Sequence, residues 1–132
     1  MKNLKRVSKL MEKVYEYGKG LVIIKLSNQE FFNTYKNLSD EQRHKVKIAF
    51  IKALYNLTKN EYVKLYLKEE MKKNRNEDDR DNLDSTYSNY IMYEVPFTVS
   101  VIYKHLQRDA MKKITEEVKK AIEKQRFSIK PI

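Results

Sequence analysis

Few side chains in this chain are suited to catalysis. His44 and His105 are the only imidazoles, cysteine is absent, and Gly18 and Gly20 are the only glycines. A Ser–His or Cys–His nucleophile needs a base held beside it, and a phosphate-cradling loop needs several glycines in a short run. His44 falls in a charged first turn and His105 on an amphipathic stretch, so both read as solvated or partly packed histidines. With no cysteine there is neither a disulfide framework nor a thiolate metal site.

The acids Glu77, Asp78, Asp79, Asp81 and Asp84 invite a metal reading. A calcium loop needs alternating oxygen ligands, a glycine at its sharp turn and a closing glutamate. Here the glycine and the closing glutamate are missing, and Arg80 interrupts the run. A carboxylate cluster for two magnesium ions is conceivable on composition, but the run reads better as a solvated connector. No metal, cofactor or enzymatic activity is therefore assigned.

The remaining chemistry is that of positive charge. The chain carries 28 basic and 18 acidic residues, a net charge of +10 over 132 residues. Such a surplus on a small domain attracts polyanions. It concentrates first in the opening stretch, where Lys2, Lys5, Arg6, Lys9 and Lys13 lie opposite the apolar Leu4, Val7, Met11 and Val14 on a helix over 2–17. Cations near a helix N-terminus oppose the macrodipole, so the stretch either answers to a phosphate partner or is a solvated face that tolerates that small cost. An anionic membrane surface is less suited, because only Tyr15 offers a bulky anchor on the buried face. A second basic line runs along the C-terminal helix: Arg108, Lys112, Lys119 and Arg126 share one flank. The acids Asp109, Glu116 and Glu123 run down the middle of its polar face, with Asp109–Lys113 and Glu116–Lys120 spaced for i,i+4 ion pairs.

The elements that must position these charges are mostly helical. Two glycines and two prolines are far too few for the frequent tight turns of an all-β chain. Leu4, Val7, Leu10, Met11, Val14 and Tyr15 recur at helical steps, and Gly18 or Gly20 stops that helix. Three S/T-x-x-E/Q capping boxes follow. Ser27 with Glu30 opens a helix near 28–37, Ser39 with Gln42 one near 40–56, and Thr58 with Glu61 one near 59–73. The helix over 40–56 is apolar on two sides, with Val46, Phe50, Ala53 and Leu54 on one and Ile48, Ile51 and Tyr55 on the other. It is either enclosed within a bundle or shared with another subunit.

Residues 74–85 form an acidic connector between two helical blocks of a single domain spanning 1–132. The β-branched run "LVIIKL" (21–26) reads as a strand or an apolar helical turn, and the Tyr, Ile and Val of 90–102 offer it a partner. Pro96 either ends that second strand or takes the N1 position of a helix. From Phe97 to about Arg126 the apolar residues Val99, Tyr103, Leu106, Ala110, Ile114, Val118, Ala121 and Ile122 fall on one face of a single long helix.

The expected fold is therefore mainly α: a helical bundle of about five helices with a small two-stranded β element. The alternative is a winged helix in which 74–95 is the wing, although that wing would be acidic. The expected function is non-enzymatic binding of DNA or RNA through phosphates, as a packaging or coat component of a virus or mobile element or as a small regulator. The alternative is a helical protein–protein interaction module, an inhibitor or a subunit of an assembly, with Ile48, Ile51 and Tyr55 as the interface to a second copy or a partner protein. The longest apolar run is too short to span a bilayer and no secretory leader is evident, so an intracellular or virion setting is expected.

Overall fold

Alternation of apolar and polar residues decides the fate of "LVIIKL". Of Lys19–Lys25, every second side chain is buried, the pattern of a strand covered on one face. The computed structural model describes residues 18–73 and 89–128, so the opening helix over 2–17, the connector over 74–85 and the tail lie outside the described residues. Within them, strand β1 (Lys19–Lys25) pairs antiparallel with β2 (Tyr90–Pro96), with Ile23 opposite Met92 and Lys19 opposite Pro96. Val22, Ile24, Ile91, Tyr93 and Val95 point from this ribbon into the core. The partner of β2 is thus the strand preceding the helices, and most of the stretch 74–95 that the winged-helix alternative makes a wing lies outside the described residues.

Five helices complete the described residues: α1 (Gln29–Lys36), α2 (Asp40–Thr58), α3 (Glu61–Lys72), α4 (Phe97–Lys104) and α5 (Arg108–Ser128). The fold is mainly α with a small β element, as the glycine and proline counts require. Their starts follow capping chemistry, though not always at the expected residue. At α2 the full box forms: Ser39 Oγ accepts from Gln42 N (3.2 Å) and Gln42 Oε1 accepts from Ser39 N (2.9 Å). At α1 the cap is Asn28 rather than Ser27, its Oδ1 accepting from Phe31 N. At α3 it is Asn60 rather than Thr58, its Oδ1 accepting from both Tyr62 N and Val63 N. Thr58 closes the preceding helix instead, donating to the Leu54 carbonyl. Asparagine caps as well as serine and threonine do, so a box pattern one or two residues upstream marks the region and not the residue.

Helix α2 is the centre of the bundle. It packs against α5 on one side and α3 on another. Phe50 reaches the ribbon, stacking on Tyr93 at 5.3 Å and meeting the edge of Tyr103 on α4 at 5.9 Å. The two-sided apolar pattern of 40–56 is thereby explained within one chain. Ile51 is wholly buried and belongs to the core, not to a surface shared with another subunit, while Ile48 and Tyr55 are half-buried.

The single helix expected over 97–126 is two. Pro96 ends β2 and α4 starts directly after it. The His105 side chain then bonds the Val101 carbonyl through Nδ1 (2.8 Å) and so closes α4, while Met111 N donates to the Gln107 carbonyl to begin α5. The apolar stripe crosses the break without a change of period because half-buried Leu106 keeps its place against the core. Its two halves nevertheless cover different partners: α4 lies on the ribbon and α5 on α2 and α1.

Candidate nucleic-acid interface

Charge in the described residues is partly withdrawn from the surface. Lys47 on α2 is only 5% exposed and faces Glu70 on α3, itself 1% exposed, with Nζ 3.7 Å from Oε2. Glu70 Oε1 also receives Lys73 at 2.8 Å. Lys47 Nζ lies 5.9 Å from the centre of the Tyr93 ring, and His44 Nε2 bonds the Glu70 carbonyl at 3.0 Å. This network ties α2 to α3 and leaves His44 engaged with backbone. His105, as the closing residue of α4, is similarly occupied. Among the described residues no three acidic, histidine or cysteine side chains gather where a metal could bind.

The flank expected on α5 divides. Arg108 and Lys112 are exposed near the start of the helix. Lys119 turns toward α1, its Nζ 5.7 Å from the centre of the Phe31 ring and 3.4 Å from Glu116. Arg126 pairs with Glu30 on α1 (3.6 Å) and with Glu123 (3.7 Å). The lower half of the flank thus turns toward α1, whereas Arg108 and Lys112 have no ion pair among the described residues. The acids of α5 also pair differently from the i,i+4 expectation. Glu116 meets Lys119 and Glu117 meets Lys120, both at i,i+3, and Lys113 is left without an ion pair among the described residues. Lys2, Lys5, Arg6, Lys9 and Lys13 lie outside the described residues.

Another basic surface emerges where α5 crosses α2. Ala49 and Ala53 on α2 and Ala121 on α5 are too small to fill the space between the two helices. They leave an open groove of about 740 Å³. Lys52 rims one side of it, and Lys112, Lys113, Lys120 and Lys124 line the other, along with Glu116 and Glu117. Of these lysines only Lys120 has an acidic partner among the described residues. Lysine offers a strongly hydrated point charge on a flexible stem, which suits contact with phosphate oxygens better than a fixed hydrogen-bonding pattern. No aromatic or arginine side chain lines the groove, so it holds nothing that would stack on a base or grip a guanine edge.

Lys52 and Lys124 had no place in the basic lines visible in the sequence, and Lys113 and Lys120 read there as neutralised by acids. The signal that could have found them is the i,i+4 spacing of the small residues Ala49 and Ala53 along α2 beside Lys52. Its meaning depends on which helix crosses there. No protein-family model, no curated protein and no solved structure matches this chain.

Proposed function

We propose that this is a non-enzymatic, basic nucleic-acid-binding protein that holds the sugar–phosphate backbone. It serves as a packaging or coat component or as a small regulator. The observation that carries the reading is the groove between α2 and α5, where Lys52, Lys112, Lys113 and Lys124 have no acidic partner among the described residues. The opening stretch, with Lys2, Lys5, Arg6, Lys9 and Lys13, adds a second set of phosphate ligands. Recognition by such a surface is of charge and shape, since backbone contacts position a protein without reading sequence.

The test is fluorescence anisotropy with labelled duplex DNA and labelled single-stranded RNA across a salt series. Each phosphate contact on duplex DNA contributes about 0.9 to the slope of log K against log salt. Replacing Lys52, Lys112, Lys113 and Lys124 with Gln should weaken binding to all sequences and flatten that slope by roughly two to four. An intact protein that binds neither nucleic acid at low salt defeats the proposal. An unchanged slope in a folded quadruple variant removes the groove from it and leaves the opening stretch.

A second reading rests on the groove floor. Ala49, Ala53, Leu57 and Ala121 offer an apolar seat between lysines, the complement of a partner helix with an apolar stripe and acidic edges. Competition distinguishes the two: a bound acidic helix resists displacement by excess duplex DNA, and a bound nucleic acid exchanges with it. No helix among the described residues is long and apolar enough to cross a membrane.

A further inference from the structure

Two consecutive phenylalanines on α1 cannot both face the core. Successive residues of a helix are turned by about 100°, and Phe32 is the one that is buried, with Tyr35 on the same side. Phe31 is left half-buried where α1 meets α5. There it lines a second hollow, of about 480 Å³, together with Glu116, Lys119, Lys120, Glu123 and Lys124 of α5. Glu116, Lys120 and Lys124, four residues apart and all exposed, also line the α2–α5 groove, so the two hollows meet along one ridge of α5. The acids of the second hollow are occupied: Glu116 holds Lys119 (3.4 Å) and Glu123 holds Arg126 (3.7 Å). Lys124 has no acidic partner among the described residues. The groove thus has lysines and no ring, and the hollow across the ridge has the ring.

We infer that this hollow takes an unstacked base of a single-stranded nucleic acid whose backbone lies in the α2–α5 groove. The inference rests on the nucleic-acid reading above and narrows its ligand to single strands. A strand in the groove sets its phosphates against Lys120 and Lys124 on the ridge and sends a base over it onto Phe31. Aromatic rings serve single-strand binding because every base has a π face, and stacking one base is worth about 5- to 150-fold in affinity. A duplex keeps its bases paired and stacked inside, out of reach of a ring lodged between two helices, whereas single strands can splay theirs out. The ring already attracts a cation: Lys119 Nζ lies 5.7 Å from its centre, near the outer limit of about 6 Å for such contacts. A contact that long, made by a flexible stem, yields to a base, which takes the place of the ammonium over the ring while Lys119 stays with Glu116. Stacking is tolerant of base identity, so the site adds affinity for single strands without reading sequence.

The test compares three labelled DNA ligands by fluorescence anisotropy: a single strand of about 12 nucleotides, within the range of about 4–16 that one binding module covers, the same strand with abasic sites in place of its bases, and the duplex. Phe31→Leu keeps an apolar side chain against α5 and alters no charge; its folding is checked by circular dichroism. The natural chain should prefer the intact strand to the abasic one by about 5- to 150-fold. Phe31→Leu should lose that preference, with its affinity for the abasic strand and the duplex and its salt slope unchanged, and Phe31→Tyr, which keeps a ring, should retain it. A loss shared equally by all three ligands means that the ring only seals α1 to α5, and overturns the inference. So does a Phe31→Leu variant that binds the intact strand as tightly as the natural chain. Either result leaves the nucleic-acid reading standing, whereas a natural chain that binds none of the three at low salt defeats that reading and the inference with it. Should Phe31→Leu fail to fold, the natural chain decides: equal affinity for intact and abasic strands overturns the inference, and a preference for the intact strand that Phe31→Tyr keeps upholds it.

Discussion

The buried charges of α2 and α3 make a quantitative prediction about what holds the bundle together. Glu70 faces Lys47 at 3.7 Å, and both are almost wholly buried. At an effective dielectric constant near 20 their attraction is about 4.5 kcal/mol before desolvation is subtracted. Desolvation cancels much of that, so the intact pair adds little net stability. Breaking it is another matter. Glu70→Gln keeps the shape but leaves the Lys47 ammonium buried beside a neutral amide, at a cost of about 3–5 kcal/mol. Lys73, the other partner of Glu70, is more than a third exposed and can turn to water, so its loss adds little. Against a total stability of about 5–15 kcal/mol, the single variant should lose roughly a fifth or more of its resistance to urea. Lys47→Met combined with Glu70→Leu removes both charges and should fall within about 1–2 kcal/mol of the natural chain, or exceed it. Urea unfolding followed by circular dichroism compares the natural chain with both variants. A loss under about 1 kcal/mol for Glu70→Gln, or a double variant as weak as the single, would falsify the reasoning.

Three further outcomes follow from the same structure. At Gly20 an added methyl group would collide with Ser100 Oγ and lie 2.5 Å from Ser100 Cβ, so Gly20→Ala should push α4 off β1 and lower stability by about 1–3 kcal/mol; adding Ser100→Gly should recover part of it in thermal melts. Burial pushes the hydroxyls of Tyr62 and Tyr103 above their ordinary 10.0, with the Thr98 side chain offsetting this slightly at Tyr62. A folded-state value above the unfolded one gives stability that is complete below pH 10 and lost as pH rises past it, so melts should fall between pH ~9 and ~11 and fall less in Tyr103→Phe. Asn60 caps α3 through two backbone N–H groups, so Asn60→Ala should cost about 1 kcal/mol in urea unfolding and Thr58→Ala clearly less.

The parts of this fold that were legible in the sequence are those fixed by local pattern. Helical content followed from the shortage of Gly and Pro, and the ribbon from the β-branched residues of 21–26 with a Tyr-, Ile- and Val-rich partner ending at Pro96. The box at Ser39 and Gln42 marked its helix correctly because both halves of the motif are used. What failed depended on contacts between elements. A stripe with a constant period cannot reveal a break at His105, since Leu106 stays in phase while α4 and α5 pack on different partners. Charges on one helix likewise cannot show which of them another helix will take. Lys119 and Arg126 shared a flank with Arg108 and Lys112, yet α1 brings Phe31 and Glu30 to the first two only. The groove lysines come from helices separated by half the chain, and no wheel drawn on either helix places them together.

The distribution of charge bears on the proposed function more than its sum does. Several of the described cations outside the groove are paired with acids: Lys47 and Lys73 with Glu70, Lys19 with Glu94, Arg43 with Asp40, Lys119 with Glu116 and Arg126 with Glu30. A surplus serving solubility alone is best spread among acids, because like charges placed together repel and destabilise the folded state. At the α2–α5 crossing the arrangement is the reverse. Five lysines meet two glutamates around one concavity whose alanine floor lets a ligand approach the backbone closely. Repulsion among those lysines is relieved when a polyanion lies between them, with release of the counterions that otherwise screen it. Variants of the groove should therefore weaken nucleic-acid binding while leaving the protein equally or more stable without its ligand, a combination that loss of structural ion pairs cannot produce.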